Sequence, residues 1–341
     1  MSRHPDNSLQ ESTNNTVLLA SPTNTIPKDS RERVQQLMQN LQDEICKGLE
    51  QLDGEARFHQ DYWERGEGRT RVIREGRVFE QGGVNFSAVW GNGLPPAILA
   101  QRPEAAGRKF FATGTSMVYI PAIPMYQQYT LTTNYRYFEA GPIWWFGGGA
   151  DLTLSYAFVE DAVHFHSSLK RAYDDHHPEY YPVFKLWCDE YFYLKHRQEQ
   201  RGIGGIFFDY QDASRKLYVG DQTDSPAALY SQQVGMVSRN WEDIFAFVQS
   251  CGQAFLPAYL PIVERRQEIE YSGRQRQFQL YRRGCYAEFN LVYDKGTVFG
   301  LQTQGRAESI FMSLARWEYC YEPEPGTPEA RLTEIFLQPH D

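Results

Sequence analysis

From residue 69 to residue 149 the sequence takes on a period of two, apolar and polar side chains alternating. Side chains of a strand point alternately to opposite faces, so the run predicts several successive strands. Arg71-Val72-Ile73-Arg74, a turn at Glu75-Gly76 and Val78-Phe79-Glu80 read as a hairpin. Val84-Asn85-Phe86-Ser87, residues 110–120 and one long stretch, 130–146, are further predicted strands. Helices come before and after this run without regular strand–helix alternation. That order predicts an α+β fold built around a large antiparallel sheet.

The flanking segments carry the other period. Val34, Leu37, Met38, Leu41, Ile45, Leu49 and Leu52 recur every three or four residues between a cap at Asp29 or Ser30 and a stop at Gly54, which predicts an amphipathic helix. Further helices are expected over residues 159–173, from Pro182 to about 200, over 241–251 and onward to about 266. Residues 213–237 read as an irregular surface insertion. Residues 286–292 and 297–303, joined by Asp294-Lys295-Gly296, read as a second hairpin. Residues 1–29 are polar, aperiodic and contain three prolines, so a disordered tail is expected, followed by a single domain over 30–341.

Composition removes whole classes of function. The formal charge of −9 argues against general nucleic-acid binding, which needs net positive charge to displace counterions. No run of about 18 apolar residues suggests a membrane span. Five widely spaced cysteines without a C-x-x-C pair read as reduced thiols, and together with the absence of a signal-peptide pattern they place the chain in the cytoplasm. The aromatic share of 15% suits wide semi-polar surfaces as well as core.

Several chemical motifs can be weighed directly. Gly147-Gly148-Gly149 and Gly202-Ile203-Gly204-Gly205 lack the spacing of phosphate loops, and the first leads into Asp151; they fit a backbone bend or the close approach of a flat ligand. Gly114-Thr115-Ser116-Met117-Val118 lacks the second glycine of an esterase elbow. His164 and His166 lie two apart on a predicted helix and point about 200° apart, so they cannot chelate one ion. His166 with His196 gives only two ligands. On a strand, Thr132, Asn134 and Arg136 share one face, and an arginine there can grip a carboxylate with two parallel bonds. Arg265, Arg266, Arg274, Arg276, Arg282 and Arg283 form a second basic cluster, either a pocket for a flat polyanion or a charged rim.

Five stretches together resemble the oxygen-dependent coproporphyrinogen III oxidase family. They are Glu80-Gln81-Gly82-Gly83-Val84-Asn85-Phe86-Ser87, Trp144-Trp145-Phe146-Gly147-Gly148-Gly149-Ala150-Asp151-Leu152-Thr153, Tyr191-Phe192-Tyr193-Leu194-Lys195-His196-Arg197, Phe278-Gln279-Leu280-Tyr281-Arg282-Arg283-Gly284 and Phe299-Gly300-Leu301-Gln302-Thr303-Gln304-Gly305-Arg306. The resemblance implies a flat antiparallel sheet flanked by helices on both faces, and a homodimer whose contact falls near residues 286–320. It implies oxidative decarboxylation of the ring A and B propionates of coproporphyrinogen III to vinyl groups. The co-substrate would be O₂, no organic cofactor is implied, and CO₂ and hydrogen peroxide would be released.

By the same resemblance, Ser116, Asn134, Tyr135, Arg136, Gln304, Gly305 and Arg306 are expected to bind substrate. Asp151 is expected to hold the pyrrole N–H groups and take a proton. The chain departs from the family pattern at Thr132, where the family carries a histidine taken as proton donor, and at Ile120-Pro121-Ala122-Ile123, where a second histidine is expected. Of the four positions assigned to a divalent metal, His166 and His196 are present. Two functions therefore stand: a working coproporphyrinogen oxidase, or a relative that binds a porphyrinogen as a carrier, a regulator or an enzyme for another substrate.

Overall fold

The computed structural model describes residues 25–63, 66–121, 130–214, 216–302, 306–312 and 323–338. Strands are β1 (His59–Trp63), β2 (Glu67–Arg74), β3 (Phe79–Gly91), β4 (Phe110–Pro121), β5 (Thr130–Ala140), β6 (Ile143–Thr153), β7 (Tyr193–Leu194), β8 (Glu199–Gln200) and β9 (Gly205–Gln211). Helices are α1 (Ser30–Asp53), α2 (Pro96–Gln101), α3 (Val159–Asp174), α4 (Tyr180–Tyr191), α5 (Pro226–Val234) and α6 (Trp241–Gln253). They continue with α7 (Phe255–Arg266), α8 (Gly273–Val292), α9 (Lys295–Gln302), α10 (Ala307–Ile310) and α11 (Pro328–Arg331).

Seven strands form one antiparallel sheet in the order β1-β2-β3-β4-β5-β6-β9, as the period-two run predicts. One face is apolar. Val84, Phe86, Met117, Tyr119, Phe146 and Ala150 are buried there in the main core, together with the apolar stripe of α1. Buried Gln42 of α1 donates to the carbonyls of Arg69 and Val84, at 2.6 and 2.7 Å, and so pins the helix across β2 and β3. The N-terminus of α1 is tied to β5, where Glu139 accepts from Ser30 Oγ at 2.9 Å and Arg31 Nε at 2.8 Å. The Tyr135 hydroxyl donates to the Cys251 carbonyl of α6 at 2.8 Å.

The opposite face of the sheet is polar, and α8 and α10 lie over it. Tyr286 of α8 meets Thr132 on β5, and Ser309 of α10 meets Thr70 on β2 and offers its carbonyl to Asn85 on β3. Helices therefore cover both faces, as the family resemblance implies.

Four local expectations need correction. Residues 130–146 are not one strand: Gly141, at φ 64°, turns the chain and β5 pairs back onto β6, Ala140 opposite Ile143. The helix opened near Pro182 stops at Tyr191, and residues up to 200 form the β7–β8 hairpin, with Gln198 in the left-handed region. The hairpin expected over 286–303 is two helices. A capping box of Ser272 and Gln275 starts α8, which runs unbroken through 286–292. Asp294 then caps α9 by accepting from the Thr297 amide at 2.7 Å, so the Asp-Lys-Gly turn is a helix junction. Finally, the insertion over 213–237 contains α5, which starts at Pro226 behind a Ser225 cap. Residues 1–24 of the expected tail lie outside the described residues.

Candidate active site

Register brings the predicted strand residues together. Ser116 on β4 stands opposite Asn134 on β5, and Thr132 on β5 stands opposite Asp151 on β6. Because side chains alternate, Ser116, Thr132, Asn134, Arg136 and Asp151 all lie on the polar face. Tyr135, between Asn134 and Arg136, turns its ring into the apolar core, away from these residues. Arg306 lies towards the other edge, paired with Asp61 of β1. Five inter-strand steps separate β1 from β6, about 24 Å at ~4.8 Å per step, so Arg306 is not brought against Asp151. Gln304, Gly305 and the Ala122-Ile123 loop lie outside the described residues.

Asp151 is fully buried and paired with an arginine that the sequence patterns left unremarked. Arg201 Nη2 bonds its Oδ1, and Arg201 Nε donates to Oδ2 at 3.3 Å. Arg201 is fully buried as well. It donates to Asn290 Oδ1 at 3.2 Å, and its guanidinium stacks on Phe192 at 3.8 Å and on Phe289 at 4.6 Å. Burial pushes the Asp151 carboxyl above the usual carboxylate range, and the Arg201 charge opposes it. A carboxylate has about four acceptor positions. Two are directed at Arg201, and with the side chain 0% exposed the others do not meet solvent.

Thr132 Oγ1 lies 3.1 Å from the Tyr286 hydroxyl, and the Tyr286 ring also neighbours the Arg201 guanidinium. Burial raises the pKa of this phenol, which stays protonated at neutral pH. Two linked hydroxyls therefore stand beside the Asp151–Arg201 pair.

Arg136 reaches in the other direction, across β6. Its Nη2 lies 2.6 Å from Asp209 Oδ2 of β9, and its Nη1 donates to Asn134 Oδ1 at 3.2 Å. The glycine run serves this geometry. A Cβ on Gly147 would sit 2.5 Å from Asp209 Oδ1 and 2.8 Å from Arg136 Nε. A Cβ on Gly205, at φ 157°, would sit 1.9 Å from the Ala150 carbonyl, so that glycine lets β9 approach β6. The glycines thus serve contacts within the protein.

The two histidines considered for a metal have separate partners. His166 Nε2 faces the Ile203 carbonyl at 3.1 Å, so it carries the proton, and Nδ1 accepts from the Tyr181 hydroxyl at 2.8 Å. Burial lowers the His166 pKa to about 4. His196 is held by Glu288 and by the Tyr293 hydroxyl. Both nitrogens of each ring are engaged, an arrangement that does not fit ligation. Among the described residues no group of three or more His, Cys, Asp or Glu converges as for a metal ion.

The second basic cluster resolves into ion pairs. Arg265 and Arg266 meet Asp161, Arg274 meets Glu329, Arg276 and Arg283 share Glu80, and Arg282 meets Glu199. Arg266, Arg282 and Arg283 are buried. They tie α7 and α8 to the rest of the fold.

A profile described as coproporphyrinogen III oxidase matches residues 33–341. The chain belongs to this family. It is 59% identical over 327 residues to the oxygen-dependent coproporphyrinogen-III oxidase of Synechococcus sp. (strain CC9605), covering 94% of this chain and 90% of the relative. It is 60% identical over 321 residues to the enzymes of the same name from Parasynechococcus marenigrum (strain WH8102) and Prochlorococcus marinus (strain MIT 9313). Those matches cover 92% of this chain in both cases, and 88% and 91% of the relatives.

As a coproporphyrinogen III oxidase family member the chain carries three residues at this face that pattern reading passed over: Arg201, Asp209 and Tyr286. Two had a signal. Asp209 interrupts the apolar stretch Ile206-Phe207-Phe208 of a strand, and Arg201 sits at the head of a glycine run. Tyr286 had none, because its segment read as a strand.

Proposed function

We propose that the chain catalyses the oxygen-dependent oxidative decarboxylation of the ring A and B propionates of coproporphyrinogen III, giving the divinyl product protoporphyrinogen IX in tetrapyrrole biosynthesis. Each turn of the reaction converts a CH₂–CH₂–COO⁻ arm, a proton and O₂ into CH=CH₂, CO₂ and H₂O₂. The observation that carries this reading is buried Asp151, held by Arg201 on the same polar face as Ser116, Asn134 and Arg136, in a chain of this family.

In this reading the cover over Asp151 opens as substrate enters, and Asp151 then accepts the pyrrole N–H groups and takes one proton, which raises the electron density of the ring that meets O₂. A positioned acid or base of this kind contributes typically 10²–10⁴-fold. Arg136 grips a propionate with Asn134 and Ser116 beside it. Thr132 and Tyr286 supply a hydroxyl pair where the family pattern has imidazole.

Two further points belong to the proposal. Leu291, Val292, Tyr293, Val298 and Leu301 are exposed at the end of α8 and on α9, in the segment expected to form a homodimer contact. Light scattering on the purified chain should return twice the 39.6 kDa chain mass. The four described cysteines are buried and unpaired, in keeping with a cytoplasmic enzyme. No helix among the described residues is long and apolar enough to cross a membrane.

The test is aerobic incubation of the purified chain with coproporphyrinogen III, following protoporphyrin fluorescence after oxidation and peroxide release. Product and peroxide in equal amounts per arm are expected. No product, where a histidine-bearing relative turns over, sinks the reading. The second reading, a porphyrinogen-binding relative without this activity, rests on Thr132 standing at the histidine position. Tight binding without turnover, with activity gained in Thr132→His, would establish it.

A further inference from the structure

Arg136 is not held by its own strand alone. The pairing of β6 with β9 slips between Phe146, which faces Gln211, and Gly148, which faces Phe208. Two residues, Asp209 and Tyr210, therefore oppose the single Gly147. This is a β-bulge, a device that re-aims a side chain at the expense of ladder pairing.

Tyr210 sits at φ 50°, a left-handed conformation that a bulky residue rarely adopts. Its amide donates to Asp209 Oδ1 at 2.9 Å, and its ring packs on Trp145 at 5.1 Å. Asp209 Oδ2 remains for Arg136 Nη2 at 2.6 Å, and the missing side chain of Gly147 clears the path between them.

We propose that Asp209 is a positioning residue, aimed by this bulge, that fixes the Arg136 guanidinium at the carboxylate subsite. The inference rests on the reading of Arg136 as the grip for a substrate propionate. A long arginine side chain left to itself samples many rotamers, and fixing one before the ligand arrives removes that loss from binding. Asp209 occupies one edge of the fork and Asn134 steadies a second nitrogen. The rest of the guanidinium is presented to the ligand in one orientation.

The test measures kcat and KM for coproporphyrinogen III in Asp209→Ala, Asp209→Asn, Arg136→Ala and the Asp209→Ala/Arg136→Ala double variant. Asp209→Ala should raise KM about tenfold, the loss of one charge-assisted bond, with kcat within about twofold. Asp209→Asn keeps an acceptor oxygen and should stay within about threefold of the parent. In the Arg136→Ala background, Asp209→Ala should change KM less than about twofold, because the residue it positions is gone. An unchanged KM in Asp209→Ala, a fall in kcat alone, or independent effects in the double variant would overturn the proposal.

A second readout needs no turnover. Phenylglyoxal modification mapped by mass spectrometry should reach Arg136 at least about fivefold faster in Asp209→Ala than in the parent, while buried Arg201 stays protected in both. Equal rates at Arg136 overturn the inference even if the parent fails to act on coproporphyrinogen, and that failure alone bears on the proposed function.

Discussion

Replacing Arg201 with methionine tests whether the Asp151 carboxylate depends on a single buried partner. Methionine keeps an unbranched stem that can still fill the space between Phe192 and Phe289, now ringed by the guanidinium contacts at 3.8 and 4.6 Å. It removes every polar group facing Asp151 from Arg201. The two side chains are 0% and 1% exposed, so water does not take over. Removing one partner of such a pair typically costs about 3–5 kcal/mol, because a buried charge is left uncompensated.

The carboxyl has one escape, which is to take a proton. Burial already pushes its pKa up, and Arg201 is the group that opposes the rise, so the variant's folded pKa climbs further. A folded pKa above the unfolded value gives stability that is present at low pH and lost as pH rises through the folded pKa. The deficit of Arg201→Met against the parent should therefore be smaller at pH 5 than at pH 8. Urea unfolding at several pH values checks this; with a slope of about 3 kcal/mol/M the midpoint at pH 8 should fall by about 1–2 M. Asp151→Asn added to Arg201→Met should recover much of the loss, since the charge is gone. A deficit equal at pH 5 and pH 8, with no recovery in the double variant, would refute the buried-pair reasoning.

Other outcomes follow from the same geometry. Asp151→Asn should bind coproporphyrinogen within a few-fold of the parent while turnover falls by about 10²–10⁴, measured by equilibrium binding and by product fluorescence. Gly205→Ala places a Cβ 1.9 Å from the Ala150 carbonyl at a φ of 157°, so denaturant unfolding should show a loss of about 3 kcal/mol or more, or the protein should fail to accumulate in soluble form. His166 is neutral in the fold with a pKa of about 4, below its unfolded value, so its contribution is present above about pH 6.5 and lost as pH falls through 4. The parent should lose about 3 kcal/mol more than His166→Gln across that window in urea unfolding.

The sheet was legible because its signal is local: a period of two within each of the stretches 69–91, 110–121 and 130–153 leaves little choice of element, although α2 breaks the run between the first two. Register was not legible in the same way: residues 130–146 read as one strand, and only the turn at Gly141 folds β6 back so that Thr132 stands opposite Asp151. The segment over 286–303 misled for the converse reason. Tyr286, Phe289, Val292 and Val298 favour strands by type, yet the Ser272 cap fourteen residues earlier and the packing of Phe289 beneath Arg201 make the segment helical. The end of α4 was equally hidden, because Arg197 is drawn to Glu288 and the Gln200 amide to the Leu337 carbonyl, contacts no local window contains. Long-range pairing also decided the arginine cluster: its partners include Asp161, Glu160, Glu80, Glu199, Glu324 and Glu329, and none of these is among the neighbouring glutamates at 264, 268 and 270.

That pairing bears on how a chain of charge −9 would receive the polycarboxylate of the proposed function. An unpaired arginine on a polar face would attract any anion and, with long side-chain freedom, would hold none in a set pose. Here Arg136 is already matched by Asp209, and Arg306 by Asp61, so the face offers oriented donors with little net charge. A carboxylate then gains by completing the hydrogen bonds that the resident aspartate leaves open, and geometry contributes more than the sum of charges. Under the proposed function, discrimination among anions would then follow from the spacing of these donors along the sheet.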